Sequence, residues 1–190
     1  MGKVVYYMSM SLDGFVTAAG VSPDAGLGVG GELLHEWAAD PKGGAVIEQA
    51  VKDTGATICG RTTYDLSLPA WGPDGPTGEA RLPVFVVTHR AEPPPPAGSV
   101  YTLVTDGVDS AVRQAKAAAG DMDVSVSGAA VMRHLIQAGH IDEMWISVVP
   151  VFFGDGTRLY EQVGGEHVHL ELIEAIPTPG ATHLHYRVRN

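Results

Sequence analysis

Three junctions, each following a predicted β-strand, carry residues that could bind an anionic ligand. At the first, Gly60-Arg61-Thr62-Thr63 follows a short buried strand, and Thr62 and Asp65 have the spacing of a capping box. Free backbone amides at a helix start, together with a guanidinium, make a site suited to a phosphate. The alternative interpretation is an ordinary capped helix with an exposed arginine.

The second junction consists of small residues, namely Ser127, Gly128, Ala129 and Ala130. A ligand could approach the backbone there, and pyrophosphate is the group expected at such a helix N-terminus. The dinucleotide fingerprint GxGxxG is absent from this stretch. The alternative is that small residues only let the helix pack closely on the sheet.

The third junction is Thr88-His89-Arg90, which could border an adenosine or form a solvated surface turn. Open α/β sheets bind ligands at the carboxyl ends of their strands. One extended, phosphate-bearing cofactor laid across the sheet would therefore use all three junctions.

The elements that must position these residues alternate between strands and helices. Strand patterns occupy 3–10, 55–60, 83–88, 100–104, 123–127, 143–153, 167–174 and 182–188. Helical patterns occupy 32–40, 45–53, 61–68, 109–120 and 128–138, with Asp109 or Ser110 as the cap of the fourth. The proline at 150 indicates an edge or a bulge in its strand.

This alternation predicts an α/β fold with right-handed crossovers and a largely parallel sheet. The last two strands are joined by a short Pro-Thr-Pro-Gly turn, so they must be antiparallel. We predict a single domain over residues 1–190, with a mixed sheet and helices on both of its faces.

Composition and charge narrow the class of protein. The 190 residues are 45% hydrophobic and 18% charged, which suits a packed core. A formal net charge of −10 argues against non-specific binding to nucleic acid or to an anionic membrane. The single cysteine excludes an internal disulfide and a cysteine-built zinc site. Without a signal-peptide pattern or a long apolar stretch, we expect a cytoplasmic protein.

Two His-x-His pairs, His167/His169 and His183/His185, lie on the two C-terminal strands. A spacing of two places each pair on one face of its strand, and antiparallel pairing could bring the pairs together. Four imidazoles would suit zinc, nickel or copper. The preferred alternative is a polar, solvent-facing stripe, so no metal site is predicted.

A set of motifs, in order along the chain, resembles the dihydrofolate reductase-like family. The resemblance is closest to the C-terminal reductase domain of bifunctional riboflavin-biosynthesis deaminase/reductase proteins. The motifs are Ser11-Leu12-Asp13-Gly14, Gly60-Arg61-Thr62-Thr63-Tyr64-Asp65, Ser127-Gly128-Ala129, Ile141-Asp142-Glu143 and the segment 150–160. They span essentially the whole chain.

The resemblance implies an NADPH-dependent oxidoreductase with an eight-stranded mixed sheet, usually a homodimer. By this resemblance, the 2′-phosphate would be held by Arg61, Thr62 and Thr63, and the adenosine would be bordered by Thr88, His89 and Arg90. The pyrophosphate would be held by Ser127, Gly128, Ala129 and Ala130. Gly154 would lie near the nicotinamide. Asp13 would lie near the nicotinamide and the substrate.

Hydride transfer to a C=N or C=O bond leaves a charge that a nearby acid must neutralise. Asp13 is the first candidate for this proton path; the alternative is an Asp-Gly turn whose carboxylate caps its own backbone. Dihydrofolate reductases carry a carboxylate on their first long helix, and Glu32 and Glu36 lie in that region. Glu32 is therefore the second catalytic candidate.

Two positions depart from the riboflavin-pathway pattern. Tyr7 stands where those reductases have lysine, and Ser127 stands where they have glutamate. The substrate is therefore left open among a pterin, an aminopyrimidine-like or other heterocyclic imine, and a carbonyl compound. Trp37, on the first helix, could face a planar substrate. The rival hypothesis is an NADPH-binding or structural homodimer without turnover.

Overall fold

The computed structural model describes residues 2–161, 163 and 167–189. Its strands are β1 (Val4–Ser11), β2 (Phe15–Ala18), β3 (Thr54–Gly60), β4 (Val84–Val87), β5 (Tyr101–Val104), β6 (Asp123–Ser127), β7 (Glu143–Val149), β8 (Gly156–Arg158), β9 (His169–Thr178) and β10 (Ala181–Arg189). Its α-helices are α1 (Pro41–Val51), α2 (Arg61–Trp71), α3 (Val108–Ala119) and α4 (Ala129–Gln137). Within those ranges, no helix combines the length and the apolar character that crossing a bilayer requires.

Eight strands form one sheet in the order β5-β4-β3-β6-β1-β7-β10-β9. β10 runs antiparallel to both of its neighbours, whereas the other paired strands are parallel. The predicted mixed sheet and its antiparallel C-terminal strands are thus confirmed. β2 and β8 lie outside the predicted strands and form a separate antiparallel two-stranded ribbon.

The central strand β1 is apolar on both faces because helices cover both. Val4 and Tyr6 pack with buried residues of α3 and α4 in the main core. Val5 and Tyr7, which point the opposite way, pack with Val46 of α1. The strands of this sheet come from residue 4 to residue 189. The single domain over residues 1–190 stays a prediction.

Proline changes the helix boundaries near residue 40. The predicted 32–40 helix is two short 3₁₀ turns, Gly31–Leu34 and Glu36–Ala39, and the next helix begins at Pro41 rather than Ala45. Asp40 is extended, as expected before proline, and its carboxylate accepts the Lys42 amide as the N-cap of α1. Pro41 therefore both ends one segment and starts the next.

Four other predicted boundaries were wrong. One is the end of β9, which lies at Thr178 rather than at residue 174, because the pairing with β10 continues into the predicted Pro-Thr-Pro-Gly turn. α2 continues through Pro69 to Trp71, because a proline in the last turn removes only one helical hydrogen bond. α3 is capped by Gly107, and Asp109 instead pairs with His140 at 2.6 Å. β7 ends at Val149, so Pro150 follows an interior strand and marks neither an edge nor a bulge within it.

Candidate active site

A cavity of about 900 Å³ lies over the sheet face that α1 and α2 cover. Tyr7 and Ser9 of β1 and Trp145 and Ser147 of β7 form its floor, while side chains of both helices form its walls. It reaches the carboxyl ends of β3 and β6, where two of the predicted junctions lie. This is the position at which an open α/β sheet binds its ligand.

The cavity brings together seven of the predicted site residues. These are Glu32, Thr62, Thr63, Ser127, Gly128, Ala129 and Ala130. The remaining six are not part of the cavity lining: Asp13, Arg61, Thr88, His89, Arg90 and Gly154. Seven of the thirteen predicted site residues therefore line one cavity, and the roles given to all thirteen stay predictions.

The start of α4 combines close backbone packing with an unsatisfied hydroxyl. Gly128 has a φ of +99°, and a Cβ there would lie 2.4 Å from the Thr63 hydroxyl oxygen. The Ser127 hydroxyl oxygen is buried and has no hydrogen-bond partner among the described residues. A helix start leaves free amides at Ala129 and Ala130. These groups fit a pyrophosphate, which would accept from the amides and from Ser127.

The β3–α2 junction does not form the predicted capping box. α2 begins at Arg61, its N-cap Gly60 offers no side chain, and Thr62 lies inside the first turn. Asp65 accepts from the Arg61 Nε at 2.8 Å, and the Arg90 guanidinium lies 3.8 Å from its other oxygen. Two guanidiniums share one carboxylate, so the cluster retains positive charge that fits a phosphate.

The third junction contributes Arg90 to this cluster through a local turn. The Thr88 hydroxyl accepts from the Arg90 amide at 3.2 Å and donates to the Arg90 carbonyl at 3.0 Å. His89 is exposed. The structure therefore brings Arg90 to Arg61, as one shared ligand would require.

Asp13 is engaged with the backbone of the loop that follows β7. Its carboxylate accepts from the Phe153 amide at 3.1 Å, the Gly154 amide at 2.8 Å and the Ser11 hydroxyl at 2.5 Å. Desolvation opposes ionisation, but these hydrogen bonds prevail and lower the pKa of Asp13 to about 2. Such a carboxyl holds no proton at neutral pH, which disfavours the predicted proton-transfer role; that role remains a prediction.

Glu32 lies on the Gly31–Leu34 turn and its side chain lines the cavity. Asp24, in the glycine-rich loop, lines the cavity as well, so two carboxyl groups border this space. Neither accepts a hydrogen bond from a described side chain. Sequence reasoning missed Asp24, because no periodicity marks its loop.

Sequence reasoning also missed polar groups on the cavity floor and wall. Ser9 and Ser147 stand within apolar strands, so nothing in the sequence marks them as site residues. Arg133 lines the cavity from α4, and no carboxylate of the described residues pairs with it. Trp37, proposed to face a planar substrate, does line the cavity.

The four C-terminal histidines do not meet. His183 lies opposite Ile176 and His169 opposite Arg189, so the two pairs are displaced along the hairpin. His183 is buried, against the expectation of a solvent-facing stripe, and His185 stacks on Trp145 with ring centroids 4.1 Å apart. Within the described part of the chain, no three His, Cys, Asp or Glu side chains are grouped to hold a metal ion.

The chain belongs to the RibD C-terminal domain family, whose family model matches residues 2–184. This is the reductase-domain family that the motifs resemble, and it confirms the resemblance. No curated protein matches the chain.

Solved structures share the fold at low sequence identity. A candidate riboflavin biosynthesis protein from Shewanella sp. PV-4 is 20% identical, with a TM-score of 0.74 and 99% of both chains covered. A deaminase/reductase from Thermotoga maritima is 14% identical, with a TM-score of 0.68; the match covers 99% of this chain and 57% of that one. Dihydrofolate reductase from Enterococcus faecalis, complexed with NADP(H), is 14% identical, with a TM-score of 0.64 and coverage of 100% and 98%. The fold is thus dihydrofolate reductase-like.

Proposed function

We propose that this protein is an NADPH-dependent reductase that transfers a hydride to a small heterocyclic imine or carbonyl substrate, pterin-like or aminopyrimidine-like. The observation that carries the proposal is the buried Ser127 hydroxyl at the end of β6, which has no hydrogen-bond partner among the described residues. Ser127 is one of the residues that line the cavity of about 900 Å³. A buried hydroxyl without a partner is costly, so a ligand that supplies one is favoured. Family membership supports a reductase of the aminopyrimidine type.

The cofactor's anionic groups correspond to two separate features of the site. Arg61 and Arg90, with Thr62 and Thr63 beside them, would hold the 2′-phosphate of NADPH. The amides of Ala129 and Ala130 and the Ser127 hydroxyl would hold the pyrophosphate. Thr88 and His89 would border the adenosine, and Gly154 would lie near the nicotinamide. When bound, NADPH supplies the hydride.

The remaining requirement is a proton for the reduced substrate. Glu32 lines the cavity and is our leading candidate for the group that delivers it, directly or through a water. Asp13 instead fixes the loop at Phe153 and Gly154, which would hold Gly154 in place beside the cofactor. We therefore give Asp13 a positioning role.

The rival proposal is a homodimer that binds NADPH without turnover. The cavity favours an enzyme, because Ser9, Ser147 and Glu32 line space beyond the cofactor-binding junctions. Single-turnover oxidation of bound NADPH by pterins and aminopyrimidines distinguishes the two. Oxidation by any member of the panel supports the enzyme, and binding without oxidation supports the rival.

The test of the cofactor site is calorimetric titration of NADPH, with NADH in parallel, on wild type and Arg61→Ala. Because a guanidinium–phosphate contact is charge-assisted, we expect the variant to bind NADPH about 10- to 100-fold more weakly. Its NADH affinity should stay near that of wild type, since NADH lacks the 2′-phosphate.

Arg81→Ala is the matched control, because Arg81 pairs with Asp74 at the surface and does not line the cavity. It should bind NADPH as wild type does. A wild type that binds neither nucleotide overturns the reductase proposal. Equal NADPH and NADH affinities in wild type overturn the 2′-phosphate assignment alone.

A further inference from the structure

A row of polar side chains crosses the sheet at the floor of the cavity. Ser9 on β1 pairs with Ser147 on β7, and Ser147 pairs with His183 on β10. Register partners on adjacent strands point to the same face, so the three side chains lie side by side. Ser9 and His183 are buried, His183 with only 1% of its surface exposed.

The hydroxyl of Ser9 is oriented by Trp37. The Trp37 indole N–H, which can only donate, contacts the Ser9 oxygen at 3.2 Å and the Leu34 carbonyl at 2.7 Å. No other hydrogen bond joins the Ser9 side chain to a described residue. The Ser9 oxygen therefore accepts from the protein, and its own proton is left to donate to a ligand.

The hydroxyl of Ser147 is oriented in the opposite sense by His183. The imidazole Nδ1 lies 2.8 Å from the Ser147 oxygen, and Nε2 lies 2.8 Å from the Thr178 hydroxyl oxygen. Thr178 in turn donates to the Ala181 carbonyl at 3.3 Å. Burial lowers the pKa of His183, which favours the neutral ring.

With a neutral ring, one proton arrangement satisfies all three of these hydrogen bonds. Thr178 donates to Ala181, so its oxygen must accept the proton of Nε2. Nδ1 is then the unprotonated nitrogen, and Ser147 must donate to it. The Ser147 proton is thereby committed, and its oxygen is left to accept from a ligand.

We propose that Ser9 and Ser147 form a subsite for the lactam edge, –CO–NH–, of a heterocyclic ring, with Trp37 and His183 as positioning residues. Ser9 donates to the ring carbonyl, and Ser147 accepts from the adjacent ring N–H. Strands β1 and β7 are neighbours, roughly 4.8 Å apart, so one ring edge can meet both hydroxyls. The inference rests on the proposed function and specifies the part of the substrate that the cavity floor binds.

The first test determines which nitrogen of His183 carries the proton. Heteronuclear NMR of histidine-labelled protein, assigned through ring-to-backbone correlations, should show the proton on Nε2 and none on Nδ1. In Thr178→Val, which removes the acceptor of Nε2–H, the proton should move to Nδ1. A wild-type ring protonated on Nδ1 overturns the proposal, because Ser147 would then be free to donate.

The second test measures binding of a ring probe to the full chain saturated with NADPH. The probe is an aminouracil, and its partner is the analogue with methyl groups on both ring nitrogens, which cannot donate from the lactam edge. Wild type should bind the aminouracil about tenfold more tightly than the analogue. Ser9→Ala and Ser147→Ala should each weaken aminouracil binding by up to about tenfold.

Two further variants separate ligand recognition from sheet structure. Ser147→Thr keeps the hydroxyl, so, unlike Ser147→Ala, it should bind the unmethylated probe in preference to the methylated analogue. Ser125→Ala removes a sheet hydroxyl that contacts Thr57 rather than the cavity, and it should bind as wild type does. Thr178→Val should lose the preference while retaining the Ser147 side chain.

The outcomes distinguish failure of the subsite from failure of the function. If NADPH binds but the aminouracil does not, or if both probes bind alike, the subsite is overturned. If the serine-to-alanine variants bind the aminouracil as tightly as wild type, the subsite is overturned as well. If wild type binds no NADPH, the proposed function itself fails.

Discussion

The polar side chains of the candidate site differ in how much of their hydrogen-bonding capacity the protein satisfies. The Asp13 carboxylate accepts from two backbone amides and a hydroxyl. The Ser127 hydroxyl, by contrast, has no partner among the described residues, and the Ser147 oxygen has one. A ligand is stabilised most by polar groups whose hydrogen-bonding capacity the protein leaves unused. On this criterion, we propose that Asp13 fixes the local fold and that Ser127 and Ser147 are ligand-binding groups.

Gly128 is the residue whose replacement tests the pyrophosphate site most sharply. Gly128→Ala places a Cβ against the Thr63 hydroxyl in a backbone conformation with φ of +99°. We expect it to lose about 1–3 kcal/mol of stability and to bind NADPH at least about tenfold more weakly, because the amides of the α4 start must shift. Thermal unfolding and calorimetric titration measure the two effects.

Gly107 supplies the control, since it caps α3 with a φ of +97° and an added Cβ would meet nothing within 4 Å. Gly107→Ala should lose comparable stability from backbone strain and keep full NADPH affinity. Loss of affinity in both variants would indicate that the effect is general destabilisation rather than a local site.

Among the strands and helices, the sequence correctly predicted those that are determined by a local residue pattern. The apolar runs identified β1, β3 and β6, and the small residues identified the start of α4, which borders the cavity. The strand at 83–88 and the helix at 128–138 also hold within a residue or two. These segments are governed by burial on both faces or by helical periodicity, which a sequence displays directly.

Tertiary contacts determine the elements that the sequence did not predict. β2 and β8 become strands only because they pair with each other across 140 positions. The polar row could not be predicted either, because Ser9, Ser147 and His183 meet only through the strand order. The spacing of His183 and His185 predicted one shared face correctly, but it could not indicate what that face contacts.

The amino end of the sheet depends on one buried carboxylate. Glu143 of β7 accepts from Lys3, next to β1, at 2.9 Å and from His185 of β10 at 2.9 Å. Desolvation raises the pKa of Glu143, but these two partners prevail and lower it below its usual 4.5. The carboxylate therefore links three adjacent strands most strongly in its ionised form.

Glu143→Gln should cost about 2 kcal/mol of unfolding free energy at neutral pH, because hydrogen bonds to a charged group are lost. Since the folded pKa is lowered, the stabilisation is complete above 4.5 and is lost as the pH falls through the lowered folded value. Urea unfolding at a series of pH values should therefore show the gap between wild type and variant closing in acid.

Glu174→Gln is the comparison for this prediction, since Glu174 lies on the adjoining strand β9, opposite His185, but is exposed. Its effect should stay within about 0.5 kcal/mol at every pH. A gap for Glu143→Gln that does not change with pH would contradict an ionic role for this carboxylate.

For the whole molecule, the outer edge of β9 pairs with no further strand of the described residues. This edge is a candidate interface for the homodimer that the family resemblance implies. β9 ends the eight-stranded sheet, and Leu170, Leu172 and Ile173 on it are exposed, Leu172 by 54%. A long, apolar edge strand favours pairing with another chain. In a dimer with twofold symmetry, β9 of one copy would pair antiparallel with β9 of the other.

We therefore predict a dimer in sedimentation measurements, which Leu172→Glu should convert to monomer without a large fall in melting temperature, because charge at the edge opposes pairing. Met122→Glu changes an exposed apolar residue far from β9, 44% exposed against 54% for Leu172, and should leave the dimer intact. A monomeric wild type, or dissociation in both variants, would contradict an interface at β9.

The position of β1 at the centre of the sheet also affects how the chain is made. Lys3 and Asp123, whose contact joins the start of β1 to β6, are 120 positions apart. The contact of Val4 with Asp142, the residue before β7, spans 138 positions. A ribosome therefore releases an apolar strand long before either neighbour exists. During that interval, β1 is exposed to chaperones and to other nascent chains. The sheet closes only when β10, which follows every other strand of this sheet in the chain, takes its place between β7 and β9.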